Sequence, residues 1–499
     1  MTDAQVVPAP DGASRFDEMR RRTGVVLGPL AFVLILLAPL PQLSPEAHRL
    51  AAVMALVIVF WVTEVVPLPV TALLGPVLAV VLGVAPVASA LAPMANPIVF
   101  LFIGSFMLAQ ALFVHRVNER IAYTVLSWRW VGARPTRILI AYGAIAAFLS
   151  AWMSNTATAA MLLPVGLSLL AFMETEGKVP ASYGTALTMM TSYGTSRGGI
   201  ATPVGTPPNL IAVGMLATLA GVQVSFVQWM LFAVPLSLLL FVIVSAFLVY
   251  MSGVHVREIP GAERIVKERR RGLGPMRRGE VNALTAFGVT VTLWLGPGLL
   301  ALALGADHPL AERVAAMMPE SVAALTGAIL LFLMPISRTQ RATLTWKEAA
   351  QIDWGTILLF GGGLALGTMA GTTGLAEAVG RGITGLVPTD SVIALSFAGA
   401  FFGVLLSETM SNTAAANIAV PIVISIALAA GIDPVAPALS VALAASVADA
   451  LPVSTPPNAI VYASGRVPIT RMLQYGAVLD TTAIMLVPII TIVFTRLVL

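Results

Sequence analysis

Two copies of a Ser-Asn-Thr tripeptide, at 154–156 and 411–413, carry polar groups with which this chain could hold a small ligand. The stretches 149–164 and 406–421 that surround them align without a gap. Hydroxyl and amide groups cap helix ends and also face ligands. With helix N-terminal N–H groups they bind a carboxylate or sulfate oxyanion. With freed carbonyl oxygens they form a hard-oxygen cage suited to Na⁺.

A second polar element follows each tripeptide, as Gly-Thr-Pro-Pro-Asn at 205–209 and Ser-Thr-Pro-Pro-Asn at 454–458. Each proline removes an N–H and frees a carbonyl, so it breaks a helix. A lone Ser-Asn-Thr is most simply a helix cap or a contact between helices. The duplication at matched positions instead indicates two sequence repeats and, in a membrane protein, the central binding site of a transporter.

The composition is that of a membrane protein. Hydrophobic residues make up 58% of the 499 positions and charged residues 10%, whereas soluble domains carry about 25% charged residues. The chain has no cysteine and only four scattered histidines, which excludes thiolate metal sites and disfavours a histidine site. No nucleophile–base pair stands out, so we expect no enzyme. The net charge of +4 requires no nucleic acid. Two mirrored tips suit one alternating-access site better than a channel pore.

The apolar runs, each long enough for a bilayer of about 30 Å, predict an all-α polytopic membrane protein with about 11 transmembrane helices. An odd number of crossings per repeat gives two inverted repeats, each with a re-entrant helical hairpin and a broken helix. The predicted parts are a tail at 1–23, a first half at 24–252 with a hairpin at 136–174, a basic linker at 253–282, and a second half at 283–499 with a hairpin at 390–432.

Basic residues set the predicted orientation. The stretch 255–280 holds eight arginines and lysines, which places it and the N-terminus in the cytoplasm. The first apolar run lacks a convincing cleavage site, so we interpret it as a retained span. The stretch is either a regulatory or lipid-binding segment or a topology-setting linker on anionic headgroups, and we favour the linker.

Five charged residues lie in or near the predicted spans: Glu64, Arg197, Glu408, Asp449 and Asp480. An intramembrane charge is functional by default. For Glu64 we favour a structural or gating pair over substrate contact. Glu408 could lie near a cation site or face water. Arg197 could pair with a carboxylate such as Asp449, attract the substrate, or replace the charge of a cation.

The chain resembles the divalent anion–sodium symporter family. The resemblance rests on Trp-Val-Thr-Glu-Val-Val-Pro-Leu-Pro at 61–69, on both tripeptides and on both Thr-Pro-Pro-Asn breaks. It implies a homodimer in the plasma membrane, in a bacterium the inner membrane, with a scaffold and a mobile transport domain that works as an elevator. It also implies secondary transport of di- or tricarboxylates, most simply C4-dicarboxylates, coupled to Na⁺. The alternatives are a sodium-independent dicarboxylate exchanger and a sulfate or citrate carrier.

The resemblance also assigns residues. A first sodium site is implied at Ser150, Ser154, Asn155 and Gly205, and a second at Ser407, Ser411, Asn412 and Ser454. The implied substrate contacts are Ser154, Asn155, Thr156, Thr206, Ser411, Asn412, Thr413, Thr455 and Pro456. One departure from the repeat is Arg197, which stands where the second half has Ser446.

Overall fold

The computed structural model describes residues 11–175, 179–259, 261–305, 307–337, 339, 342–384 and 391–498. The first ten residues of the predicted tail, residue 390 at the start of the predicted second hairpin, and residue 499 lie outside this part. Within it every regular element is a helix and there is no strand, so the all-α prediction is confirmed.

The α-helices follow one another along the chain with short connections. They are α1 Asp11–Leu37, α2 Pro45–Thr63, α3 Leu68–Val81, α4 Val87–Leu91, α5 Pro97–Val114, α6 Val117–Leu126, α7 Pro135–Ser150, α8 Asn155–Thr175, α9 Ala181–Gly199, α10 Pro207–Met215, α11 Phe226–Ser252, α12 Ala262–Gly272, α13 Arg278–Leu304, α14 Pro309–Met317, α15 Glu320–Leu333, α16 Trp346–Ala349, α17 Trp354–Thr373, α18 Leu375–Thr384, α19 Val392–Thr409, α20 Asn412–Ala429, α21 Val435–Ala445, α22 Pro456–Ala463 and α23 Ile469–Val498. A 3₁₀ turn covers Ala92–Ala95, and a π-helical turn covers Leu216–Ala220.

The long apolar helices are those of a multi-pass membrane protein. In the described residues nine helices are long and apolar enough to cross a membrane, or ten if the bent pair α14 and α15 forms one span. The prediction of about 11 crossings also counted spans that the structure builds from shorter apolar helices, such as α3 and the broken pairs α9–α10 and α21–α22. Helix α1 runs unbroken across the predicted tail boundary at residue 23.

Corresponding helices of the two halves have corresponding neighbours. Helix α9 packs against α7, α8 and α11, and α21 packs in the same way against α19, α20 and α23. Both central helices are buried almost throughout. Small residues allow this close packing: a Cβ at Gly198 in α9 would overlap the carbonyl oxygen of Ala147 in α7. The repeat seen in the sequence is therefore also a repeat of packing.

Each tripeptide lies at the turn between two consecutive helices. Helix α7 ends at Ser150 and α8 begins at Asn155; helix α19 ends at Thr409 and α20 begins at Asn412. The serine of each tripeptide caps the second helix. The Ser154 hydroxyl accepts the Ala157 N–H at 3.2 Å, and the Ser411 hydroxyl accepts the Ala414 N–H at 3.3 Å. These caps satisfy N–H groups that have no partner within the helix.

The Thr-Pro-Pro-Asn elements lie where the predicted broken helices are interrupted. The chain leaves α9 and re-enters a helix at Pro207; in the second half it leaves α21 and re-enters at Pro456. Thr206 and Thr455 have extended backbones, and two prolines open each following helix. Proline is tolerated there because the N–H that it lacks would have had no acceptor within the helix.

Candidate functional site

A single cavity of about 680 Å³ brings together all nine residues predicted to contact the substrate. Its lining includes Ser154, Asn155, Thr156, Thr206, Ser411, Asn412, Thr413, Thr455 and Pro456. A second, smaller cavity of about 240 Å³ has almost entirely apolar walls and contains none of these residues. Of these two cavities, the larger one has the polar groups that a polar ligand needs.

Four of the helices that begin at the wall of the larger cavity start at the tripeptides and the Thr-Pro-Pro-Asn elements. These are α8 at Asn155, α10 at Pro207, α20 at Asn412 and α22 at Pro456. The positive end of the helix dipole favours an anion at all four termini. Free N–H groups are available only at α8 and α20, because α10 and α22 each open with two prolines, which have no N–H. Among the described residues that line the cavity, the only charged side chain is that of Asp353. An anion in this cavity would meet helix ends, hydroxyls and amides, and no arginine or lysine.

A wall that the sequence did not predict closes the other side of the cavity. It includes Leu68 and Pro69 at the start of α3, Gln110 in α5, and Asp353 with Thr356 at the start of α17. The Asp353 carboxylate caps α17 by accepting the Thr356 N–H at 3.0 Å and the Thr356 hydroxyl at 2.6 Å. Two features of the sequence could have indicated this wall. They are Pro69, which belongs to the 61–69 motif, and Gln110, a lone amide in an apolar helix.

The predicted sodium ligands of the two hairpins form matching pairs behind the tips. The Ser150 hydroxyl donates to Asn155 Oδ1 at 2.5 Å. The Ser407 hydroxyl lies 2.6 Å from Asn412 Oδ1 and 2.7 Å from the Ala445 carbonyl, and it donates to one of them. Both serines are fully buried. Each asparagine thus faces the cavity and also contacts its own hairpin.

Oxygen atoms converge around Gly205 in the first half. A Cβ at this position would overlap the Gly199 carbonyl oxygen and would lie 2.9 Å from the Ser150 carbonyl oxygen. A Cβ at Gly199 would overlap Asn155 Oδ1. The two glycines therefore let carbonyl and amide oxygens approach one another, and oxygen donors of this kind suit a hard cation such as Na⁺. Ser154, the fourth predicted ligand, is the cap of α8.

The second half has a serine where the first has Gly205. The Ser454 hydroxyl donates to the Leu451 carbonyl at 2.8 Å and accepts a hydrogen bond from Asn458 Nδ2 at 2.9 Å. Its Oγ also lies 3.4 Å from the Ala448 carbonyl. Ser454 therefore helps to fix the interrupted backbone of its own broken helix, while Ser411 caps α20.

The asparagines of the Thr-Pro-Pro-Asn elements have a role that the sequence did not reveal. Asn209 Nδ2 donates to the carbonyls of Gly199 at 3.0 Å and Thr202 at 2.8 Å. Asn458 Nδ2 donates to the Leu451 carbonyl at 3.0 Å, besides its bond to Ser454. Both asparagines are fully buried. They satisfy carbonyls that the helix breaks leave open and so hold the broken segments in shape.

Arg197 does not line the cavity. Its guanidinium forms a salt bridge with Asp449, and the two residues are 1% and 0% exposed. The guanidinium carbon also lies 5.8 Å from the centre of the Tyr193 ring, which adds a cation–π contact. Of the three interpretations of Arg197, the contacts support the ion pair with Asp449.

Glu64 and Glu408, the other two charged residues with alternative interpretations, also have defined partners in the structure. Glu64 pairs with Arg20 at 3.2 Å and does not line the cavity, which supports the pair over substrate contact. Glu408 is buried, so it does not face water. Its carboxylate accepts the N–H groups of Ala450 at 2.8 Å and Leu451 at 2.7 Å and thereby joins the second hairpin to the second helix break.

Comparison with known proteins relates the whole chain to membrane transporters. A family described as the sodium:sulfate symporter transmembrane region matches residues 21–499. The sodium-dependent dicarboxylate transporter SdcS of Staphylococcus saprophyticus is 30% identical over 480 residues, which cover 94% of this chain and 90% of that protein. SdcS of Staphylococcus aureus is 30% identical over 463 residues, covering 91% and 87%.

A solved structure has the same overall fold. The crystal structure of the YdaH transporter of Alcanivorax borkumensis superposes with a TM-score of 0.53 and covers 96% of this chain and 98% of that one. The sequences are 14% identical, so the likeness concerns the arrangement of helices alone.

Proposed function

The chain belongs to the sodium:sulfate symporter family, the divalent anion–sodium symporters, and we propose that it carries C4-dicarboxylates across the membrane together with Na⁺. One observation carries this proposal: two Ser-Asn-Thr tips and four helix N-termini meet in one cavity that no basic side chain of the described part lines. Two tips of the same chemistry suit a ligand with two like anionic ends. The dicarboxylate relatives support this choice over sulfate or citrate.

Sodium has a physical task in such a site. A dianion that leaves water needs opposite charge nearby, and the cavity itself contributes only the negative charge of Asp353. In the proposal, one Na⁺ is bound by Ser150, Ser154, Asn155 and Gly205, and another by Ser407, Ser411, Asn412 and Ser454. Two such ions balance the two charges of the substrate. Because Arg197 is committed to Asp449, it does not replace either ion.

The two walls of the cavity suggest how the site moves. The hairpins α7–α8 and α19–α20 with both broken helices form one wall, and α3, α5 and the start of α17 form the other. In the proposed elevator the first group moves past the second and carries the ligand with it. The moving parts belong to two inverted halves, 24–252 and 283–499, joined by the linker 253–282. We infer from the family a lipid-embedded homodimer in the bacterial inner membrane, with the N-terminus in the cytoplasm.

Uptake into proteoliposomes tests the transport proposal. We expect an inward Na⁺ gradient to drive accumulation of radiolabelled succinate, and unlabelled malate and fumarate to compete more strongly than citrate or sulfate. Preloaded succinate without a Na⁺ gradient is the control for exchange. Equal uptake with and without Na⁺, stimulated only by internal dicarboxylate, would replace the symporter with a sodium-independent exchanger. Stronger competition by sulfate or citrate would change the substrate.

Cysteine labelling tests the inverted halves, and the native chain has no cysteine to interfere. Ala133→Cys precedes Arg134, and Gly382→Cys follows Arg381. We expect a membrane-impermeant thiol reagent to label the first only from the cytoplasmic side and the second only from outside. Labelling of both from the same side contradicts the proposed topology.

A further inference from the structure

A group of buried charges lies behind the second hairpin, outside the cavity. Asp480 in α23 is 6% exposed, Glu408 in α19 is 9% exposed, and Asp449, just beyond α21, is 0% exposed. Arg197 in α9 is 1% exposed and pairs with Asp449. The group therefore contains three carboxyl groups and one guanidinium, drawn from four separate parts of the chain.

The three carboxyl groups have different partners. That of Asp449 faces the Arg197 guanidinium. That of Glu408 accepts two backbone N–H groups, those of Ala450 and Leu451. The Asp480 carboxyl group accepts one backbone N–H group, that of Asp449, at 2.9 Å. In the described residues no basic side chain forms a salt bridge with Asp480, so its charge is the least compensated of the three.

The remaining helices against Asp480 bring no further charge. Helix α23 packs against α11, α19 and α21. Helix α11 carries one titratable side chain, Tyr250, which is 79% exposed. The Tyr193 hydroxyl of α9 donates to the Asp449 carbonyl at 3.4 Å and is neutral. The groups that face Asp480 are thus Glu408, Asp449, Arg197 and Tyr193.

Charge balance shows what the group lacks. With all four members ionised, three negative charges and one positive charge leave two uncompensated negative charges inside a membrane protein, which is costly. Among the described residues, no three His, Cys, Asp or Glu side chains converge to hold a metal ion. The Asp480 and Glu408 carboxyl groups accept the N–H groups of two consecutive residues, Asp449 and Ala450. Two buried carboxyl groups held this near each other repel unless one carries a proton.

We propose that Asp480 is a proton-binding site, whose carboxyl group is neutral at neutral pH and donates its hydrogen bond toward Glu408. The proton lowers the uncompensated charge of the group from two to one and lets Asp480 approach the other carboxylates. The proposal does not depend on which anion the protein carries. It adds the proton to the ligands of this chain, at a place separate from the substrate cavity.

The site is connected to the second half of the transport machinery. Asp480 holds the N–H of Asp449, and Glu408 holds the next two N–H groups of the same helix break. Glu408 also directly follows Ser407, which contacts Asn412 at the tip. When the proton leaves at alkaline pH, three carboxylates repel one another across this junction. The folded protein loses stability as the pH rises toward this point, and uptake falls with it.

Infrared spectroscopy of the purified protein tests proton binding without any transported substrate. At neutral pH we expect the native protein to show the carbonyl stretch of a protonated carboxylic acid, and this band to disappear at alkaline pH. Asp480→Asn should lose the band. The control is Glu280→Gln, which removes a 6% exposed carboxylate that pairs with Arg120 at 3.0 Å, and it should keep the band. A native protein without the band at neutral pH overturns the proposal.

Thermal unfolding across the same pH range gives an independent readout. We expect the melting temperature of the native protein to fall as the pH rises from neutral to alkaline, and that of Asp480→Asn to fall less, because the amide stays neutral while the other ionisable groups still titrate. Glu280→Gln should fall as the native protein does. If Asp480→Asn does not fold, the infrared titration of the native protein decides alone. A native melting temperature that does not change between neutral and alkaline pH, at a constant Na⁺ concentration, would contradict the proposal.

Discussion

The two hairpin tips are nearly identical where they face the cavity. The serine caps measure 3.2 Å and 3.3 Å, and the contacts between serine and asparagine behind the tips measure 2.5 Å and 2.6 Å. Each tip is followed by a broken helix whose threonine and proline line the same cavity. The groups that would touch a ligand are copied from one half to the other.

The two halves differ one layer further back. In the first half the Thr202 hydroxyl donates to the Ala151 carbonyl and joins the hairpin to the helix break with neutral groups. In the second half Glu408 occupies the position of Ala151 and joins the same elements through the N–H groups of Ala450 and Leu451. A neutral junction has become a charged one.

This difference separates two kinds of constraint. Residues at the tips must remain alike if the two ends of the ligand are alike. Residues behind them need only hold a backbone, which either a hydroxyl or a carboxylate can do. The charged version carries a larger desolvation cost and needs compensating charge. That requirement accounts for the presence of Arg197 and for the proposed proton on Asp480, neither of which the first half needs.

Removing the counter-charge should give the largest effect. Arg197→Ser gives the first half the residue that the second half has at this position, and it leaves Asp449 buried and unpaired. Breaking a buried pair costs about 3–5 kcal/mol, so we expect little folded protein by size-exclusion chromatography. Arg197→Ser with Asp449→Asn should restore much of it, because no unpaired charge remains. Normal folding of the single variant would show that the pair does not support the second half.

Removing a copied tip residue should abolish uptake and leave folding intact. We expect Asn155→Ala and Asn412→Ala each to lower Na⁺-driven uptake more than about tenfold, since a hydrogen bond to a charged group contributes about 1.5–3 kcal/mol. The matched control is Asn417→Ala, a buried asparagine later in α20 that lies outside the larger cavity. It should transport nearly as well as the native protein. Near-normal uptake by either tip variant would remove that tip from the binding site.

Exchanging the residues before the two Thr-Pro-Pro-Asn elements should give the smallest and most unequal effects. Gly205→Ser places a Cβ against the Gly199 carbonyl oxygen, and overpacking of this kind costs about 1–3 kcal/mol. Ser454→Gly removes only the hydroxyl bonded to Leu451 and Asn458, a loss of about 0.5–1.5 kcal/mol.

We therefore expect a larger fall in melting temperature, and a larger rise in the Na⁺ concentration needed for uptake, from Gly205→Ser. Equal effects of the two exchanges would mean that the oxygens around Gly205 do not form a tighter site than those around Ser454.

The resemblance to a known family indicated nine of the residues that line the cavity. The residues alone were enough to predict the helical class, the two hairpin turns and both helix breaks. These features are local: apolar runs set helix length, prolines interrupt helices, and a serine before an asparagine caps the next helix. The duplication added the information that two distant copies serve one purpose. It could not reveal that Asn209 and Asn458 secure the breaks, because their acceptor carbonyls become available only once the backbone has folded.

Which distant groups meet depends on how the helices pack. The wall with Gln110 and Asp353 depends on how α5 and α17 pack against the tips. The choice of Asp449 as partner of Arg197, and the hydrogen bond of Asp480 to the Asp449 N–H, join helices that are far apart in the chain. No local pattern encodes these contacts, because the cost of a buried charge depends on every group around it, and helix packing determines which groups those are.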